Sequence, residues 1–206
     1  MSENGTEAYD GWPGLPSRVE AAVALARSLG FPHSCLPEHG ELLRLLARGL
    51  GGRAVIGETG TGCGVGLAWL LAGAHAESSI VSVERDPQRA AAAGKLFADV
   101  PGVTVLHGDW RELRASAPFG LLVLDGGGQG KGDEPPLDPT PWMRTGGVLV
   151  IDDLSPLTSW PPTHGGAVDA ARTYWLNHPR PRATQVNVRP DAATIIATFI
   201  GENSAN

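Results

Sequence analysis

The chain has 206 residues, with 16 Lys+Arg against 22 Asp+Glu and a formal net charge of −6. That length suits one α/β domain and leaves little room for a second; a domain of this size buries about 70% of its unfolded surface and folds without staples. Two cysteines cannot build a disulfide framework, an acidic balance opposes binding to nucleic-acid phosphates, and no apolar run reaches bilayer length, so a cytoplasmic protein that binds neither nucleic acid nor membrane is expected.

In chain order, residues 1–16 are rich in Gly, Pro and polar side chains and read as a flexible arm, too acidic at its start for a secretory signal. Residues 202–206 read as a frayed tail, which leaves one domain over 17–201 with cap helices in 17–50. Val19, Val23, Ala26 and Leu29 recur at helical spacing over 18–29, with Ser17 as a cap and Gly30 and Pro32 as stops. Pro37 suits the first turn of a second helix over 37–50, whose apolar face is Leu42, Leu43, Leu45, Leu46 and Leu50.

From there strands and helices alternate. A strand over 54–57 ends at Glu58, and a helix follows over 64–74. A strand over 80–83 ends at Glu84, before a helix over 87–98 with Pro at its start. Strands over 103–106, 121–124 and 148–151 end at Asp109, Asp125 and Asp152-Asp153. A helix over 168–176 leads into two strands, 184–188 and 194–200, joined by a Pro190-Asp191 turn with hairpin chemistry. Repeated βαβ units predict a Rossmann-like, doubly wound α/β fold: a buried parallel sheet with helices on both faces.

In such sheets ligands bind beyond the carboxyl ends of the strands, where strand order reverses. Here that rim carries Glu58, Glu84, Asp109, Asp125 and Asp152. Residues 58–64 read E-T-G-T-G-C-G, and alternating glycines let the backbone turn tightly with a ligand against it. The following helix presents free N–H groups to that ligand. The dinucleotide fingerprint needs Gly or Ala at its last position, and Val65 or Leu67 stands there instead, so NAD is disfavoured. A ligand with one nucleoside and an amino-acid tail fits. Glu84 stands where an acid takes ribose hydroxyls, Asp109 suits an adenine amino group, and Trp110 suits a purine face.

These residues resemble the class I S-adenosylmethionine-dependent methyltransferases, and more narrowly the catechol and caffeoyl-CoA type small-molecule O-methyltransferases. The matching stretches are 37–43, 58–64, 83–86, 107–110, 122–125 and 146–153, within a resemblance that covers roughly 17–200. It implies a seven-stranded sheet of order 3-2-1-4-5-7-6 with an antiparallel last strand. It implies S-adenosyl-L-methionine as the donor, held by Glu58, Gly60, Gly62, Gly64, Glu84, Arg85, Asp109, Trp110 and Asp125. Glu58 and Asp125 would set a negative field around the sulfonium and ammonium groups. Methyl transfer is an in-line displacement, so orientation and removal of one acceptor proton carry the rate.

The resemblance also implies a divalent cation such as Mg²⁺ on Asp125 and Asp152, with Asp153 where relatives carry Asn. Oxygen ligands suit that ion. An Asp at the end of strand four also occurs in metal-free methyltransferases, so metal-assisted and metal-independent versions both stand. The relatives' general-base Lys falls at Gly128, which leaves Lys131 and His164 as candidates and Gln129 as a hydrogen-bond donor. Trp12, Trp142, Trp160 and His164 are expected to wall a small, aromatic acceptor, and Trp69 and Trp175 to pack in the core. Cys63 reads as a small turn residue; His33, His39, His75 and His178 receive no role. A homodimer is an open alternative. So is a donor-binding module without catalysis, which Gly128 favours; a methyltransferase of RNA or protein would need a basic face that the sequence lacks.

Overall fold

All six residues of Phe119–Leu124 are buried, as a central parallel strand covered on both faces requires. The structure, a computed structural model, describes residues 4–201. The tail over 202–206 and the first three residues of the arm lie outside the described residues.

Helices α1 (Ser17–Ser28) and α2 (Pro37–Gly49) precede β1 (Val55–Thr59), α3 (Val65–Gly73), β2 (Ser79–Glu84), α4 (Pro87–Leu96) and β3 (Val103–His107). A 3-10 turn (Trp110–Ser116) leads to β4 (Phe119–Leu124) and β5 (Met143–Leu154). A small hairpin, β6 (Thr163–His164) and β7 (Ala167–Val168), precedes α5 (Ala170–Asn177), β8 (Pro181–Asn187) and β9 (Ala193–Phe199). The main sheet has the order β3-β2-β1-β4-β5-β9-β8, with β6 and β7 forming a separate sheet. Without that hairpin this is the expected order 3-2-1-4-5-7-6. Strands β1 to β5 pair in parallel, and β9 runs antiparallel to both of its neighbours.

Each sheet face has its own core. On one side Val19, Val23, Leu43, Leu67 and Trp69 pack together. On the other, Leu113, Phe119, Leu122, Trp142 and Trp175 do so. Strand order reverses between β1 and β4, which opens a crevice at Glu58 and Asp125. Among the described residues no helix is long and apolar enough to cross a membrane.

The arm is anchored where the sequence reads as loose. The Tyr9 side chain is buried, and its hydroxyl donates to the Cys35 carbonyl (2.9 Å) and accepts from Trp69 Nε1 (2.9 Å). Thr6 Oγ1 donates to the Phe31 carbonyl at 2.7 Å. A three-residue 3-10 turn, Glu7–Tyr9, presents that one aromatic ring, so there is no period to read. Tyr9→Phe is expected to cost about 1–3 kcal/mol, because the buried Trp69 N–H then has no acceptor. Urea unfolding with an unchanged m-value checks it.

Candidate functional site

The β1–α3 turn is built from backbone contacts that exclude side chains. Gly60 has φ +85°, and a Cβ there would lie 2.7 Å from both the Cα and the N of Gly126. Two loops therefore cross in backbone contact at the point where β1 and β4 end. Thr59 ties the crossing: its hydroxyl donates to the Gly127 carbonyl (3.0 Å) and accepts from the amides of Asp125 (3.2 Å) and Gly126 (3.3 Å). Gly64 caps α3 in a left-handed conformation, facing Phe97 and not the cavity.

Glu58 is 2% exposed and accepts from Ser82 Oγ at 2.5 Å, with Thr61 Oγ1 bonded to the same hydroxyl. Burial pushes its pKa up to about 8, with Ser82 opposing and the Glu84 charge assisting. A side chain on Gly66 would lie 2.3 Å from Glu58 Oε1, so α3 has glycine where it passes the carboxyl. Glu84 accepts from the Gly62 amide (2.7 Å), the Asp86 amide (2.8 Å) and Arg89 (2.9 Å). The Arg89 guanidinium in turn lies over the Phe31 ring, 5.0 Å from its centroid.

These groups line a cavity of about 570 Å³. Glu58, Gly60, Gly62 and Glu84 border it, and Arg85, Asp109, Trp110 and Asp125 do too. Asp109 is exposed and caps the 3-10 turn: it accepts from the Arg111 amide, and Glu112 returns the bond to the Asp109 amide. That amide and the Arg111 side chain hold its carboxyl below the usual range despite partial burial. The Trp110 indole is braced by protein: Arg111 lies over it at 4.6 Å and Trp142 packs at 5.5 Å.

At the other end Asp125, Asp152 and Asp153 bring one oxygen each within 4.8 Å of one another. A regular strand would aim Asp152 and Asp153 to opposite faces. Here the β5–β9 register slips between Ile151 and Leu154, and Asp153 has φ 61°, so both carboxylates join one cluster. Burial, and then the charges of Asp153, Asp152 and Glu58, push the Asp125 pKa well above the usual range. Asp152 sits behind the cavity lining, paired at 2.6 Å with His39 Nδ1 from α2. Burial opposes its charge, but His39, together with the Asp153 amide and Lys131, holds Asp152 below the usual range. His39, 2% exposed, is raised in return against its own burial, and its Nε2 has no hydrogen-bond partner among the described residues.

Lys131, one of the two candidate bases, reaches the cluster. Its Nζ donates to the carbonyls of Asp152 (2.7 Å) and Asp153 (2.8 Å) and borders the cavity. Burial lowers its pKa, against the pull of Asp153, Asp152 and Asp125. Gln129 Nε2 donates to the Leu124 and Asp152 carbonyls, so it braces the backbone. His164 stands exposed in the β6–β7 hairpin, outside the cavity lining. The expected aromatic walls do not assemble either. Trp142 stacks on Phe119 in the core (6.4 Å), Trp160 is 61% exposed, and neither these nor Trp12 borders the cavity. Trp69 and Trp175 are fully buried, as expected, and Cys63 borders the turn as a buried, small residue.

Sequence reasoning missed His39 and Glu134. Gly40 was the available signal for the first: a glycine inside a helix marks a close approach, and a Cβ there would lie 2.1 Å from Trp69 Nε1. That packing sets α2 against α3 and delivers His39 to Asp152. Glu134 lies in an aperiodic loop and left no signal.

A methyltransferase-domain family model matches residues 58–154. A Mycobacterium tuberculosis protein named "Probable O-methyltransferase" is 32% identical over 180 residues, 72% of this chain and 76% of its own length. A Mycolicibacterium smegmatis relative is 32% identical over 142 residues, so the match spans 65% of each chain. Among solved structures, the Bacillus cereus O-methyltransferase in complex with SAH superposes with a TM-score of 0.71 at 20% identity, covering 95% of this chain and 96% of that one.

Proposed function

The chain belongs to the O-methyltransferase family, and from that premise we propose that it transfers the methyl group of S-adenosyl-L-methionine to a hydroxyl oxygen of a small molecule. One observation carries the reading: two acids, Glu58 and Asp125, border one cavity beside the glycine turn, at the ends of the two strands where the sheet reverses. Cationic groups favour the ionised form of these two buried carboxyls, which suits a sulfonium and an ammonium group on one ligand. The Bacillus cereus structure, which holds SAH, supports the choice of ligand.

In this reading Gly60 and Gly62 give the donor a wall without side chains. Glu84, oriented by the Gly62 amide and Arg89, takes the ribose hydroxyls. Arg85, Asp109 and Trp110 border the adenine end. Lys131 Nζ accepts the acceptor's hydroxyl proton. Its burial favours the neutral amine that this step needs, and the two carbonyls fix its position.

The carboxylate cluster fits a divalent cation. Three convergent oxygens match a hard ion, and the raised Asp125 pKa reports a site short of positive charge. Asp125, Asp152 and Asp153 would hold it. When bound, such an ion supplies Lewis-acid activation of the acceptor hydroxyl. The acceptor is a small hydroxylated molecule; a phenol panel tests the aromatic version.

Calorimetric titration with S-adenosyl-L-methionine, then transfer of labelled methyl to that panel with Mg²⁺ or with EDTA, tests the proposal. Absence of donor binding refutes it. Mg²⁺ is expected to raise the thermal midpoint of the unreacted protein. Turnover that persists in EDTA selects the metal-independent version, in which Lys131 acts alone. Lys131→Met is expected to lower kcat at least about 100-fold with donor affinity within about three-fold.

A further inference from the structure

Five of the seven residues from Gly126 to Gly132 are glycine. Such a segment loses more conformational freedom on ordering than any other composition, so fasteners must hold it. On the β5 side these are Gln129 and Lys131, bonded to the carbonyls of Asp152 and Asp153. On the opposite side stands Glu134. Its Oε1 accepts from Trp110 Nε1 (2.6 Å) and from Arg111 (3.1 Å), and its Oε2 accepts from the Gly128 amide (3.0 Å). One carboxylate thus joins the middle of the glycine loop to the aromatic wall of the cavity, and Glu134 itself borders that cavity. The contact between the two is close: a Cβ on Gly127 would lie 2.3 Å from Trp110 Cδ1.

We propose that Glu134 is a positioning residue: it clasps the loop that follows β4 to Trp110, and so sets the adenine-side wall and the approach of Lys131 together. The proposal rests on the donor-binding reading above. Both carboxylate oxygens are needed, because their three partners all donate. A glutamine keeps one oxygen and points an amide N–H₂ at another donor.

The test measures amide hydrogen exchange over residues 126–137 and donor affinity by calorimetry, in wild type, Glu134→Ala, Glu134→Gln, Trp110→Phe and the double variant E134A/W110F. Phenylalanine at position 110 keeps an aromatic face in the wall and removes the N–H together with the pyrrole ring. In Glu134→Ala the Gly128 amide is expected to exchange at least about ten-fold faster and the donor Kd to rise about ten-fold, the size of one charge-assisted hydrogen bond. Glu134→Gln shifts both the same way. In the Trp110→Phe background, Glu134→Ala raises the donor Kd by no more than about a further two-fold, because the clasp reaches the cavity wall through Trp110. Additive losses in donor affinity, or unchanged exchange with Kd within about two-fold, overturn the proposal. If Glu134→Ala does not fold, Glu134→Gln carries the same comparison. If the wild type binds no donor, the reading of the cavity fails while exchange at Gly128 still decides whether the clasp exists.

Discussion

Between pH 5 and pH 8 the ligand-free protein is expected to lose on the order of 4 kcal/mol of folding stability through Glu58 alone. Burial lifts this carboxyl from the usual 4.5 to about 8. Below 4.5 folded and unfolded chains both hold the proton, and pH has no effect through this group. Between the two values the unfolded chain releases it and the folded chain keeps it, so stability falls with rising pH, at about 1.4 kcal/mol per unit. Asp125, also raised, acts in the same direction. Glu58→Gln keeps an acceptor for Ser82 and cannot ionise, so urea midpoints of that variant should flatten across the window and overtake wild type at its upper end. A slope unchanged by the substitution would remove Glu58 as its source. Binding a cation beside Glu58 reverses the preference, so donor titrated at pH 6 should expel a proton. Binding heats that vary with the ionisation enthalpy of the buffer would show it.

Gly60→Ala should be strongly destabilising for the addition of one methyl group. The left-handed backbone costs alanine about 1–2 kcal/mol. The collision with Gly126 adds about 1–3 kcal/mol, because backbone on both sides has no rotamer to change. A total of about 3–4 kcal/mol, with donor binding lost beyond detection, is expected from urea unfolding and calorimetry. Gly51→Ala is the matched control: it has φ +73° but open space around the new Cβ, so only the conformational cost should appear. Equal losses at the two positions would mean that the loop crossing yields easily.

What could be read in advance was local. Glu58, Glu84 and Asp125 each follow an apolar run that ends abruptly, and a strand that stops at an acid announces itself within a few residues. All three border the cavity. The features that escaped depend on partners distant in sequence. His39 meets Asp152 only because α2 packs on α3 and β5 lies one strand beyond β4. Consecutive aspartates share one cluster because of a slipped register, which alternation rules do not foresee. Trp142 had the same credentials as a pocket wall before folding, and a position one residue ahead of β5 turned it into the core beside Phe119. Tyr9 was overlooked because a single anchored ring has no period.

The order in which the chain is made has a bearing on the crossing at Thr59. This residue pairs with Val83 on one side and with Leu124 on the other, so half of its surroundings emerge from the ribosome long after the first half. A nascent chain arrested before Leu124 has the glycine bend but not the strand against which it closes, and Tyr9 can already be docked while the opposite bank is missing. Ligand therefore cannot rescue an early translation intermediate; any protection it offers against aggregation or proteolysis begins only once β4 has cleared the exit tunnel and zipped beside β1.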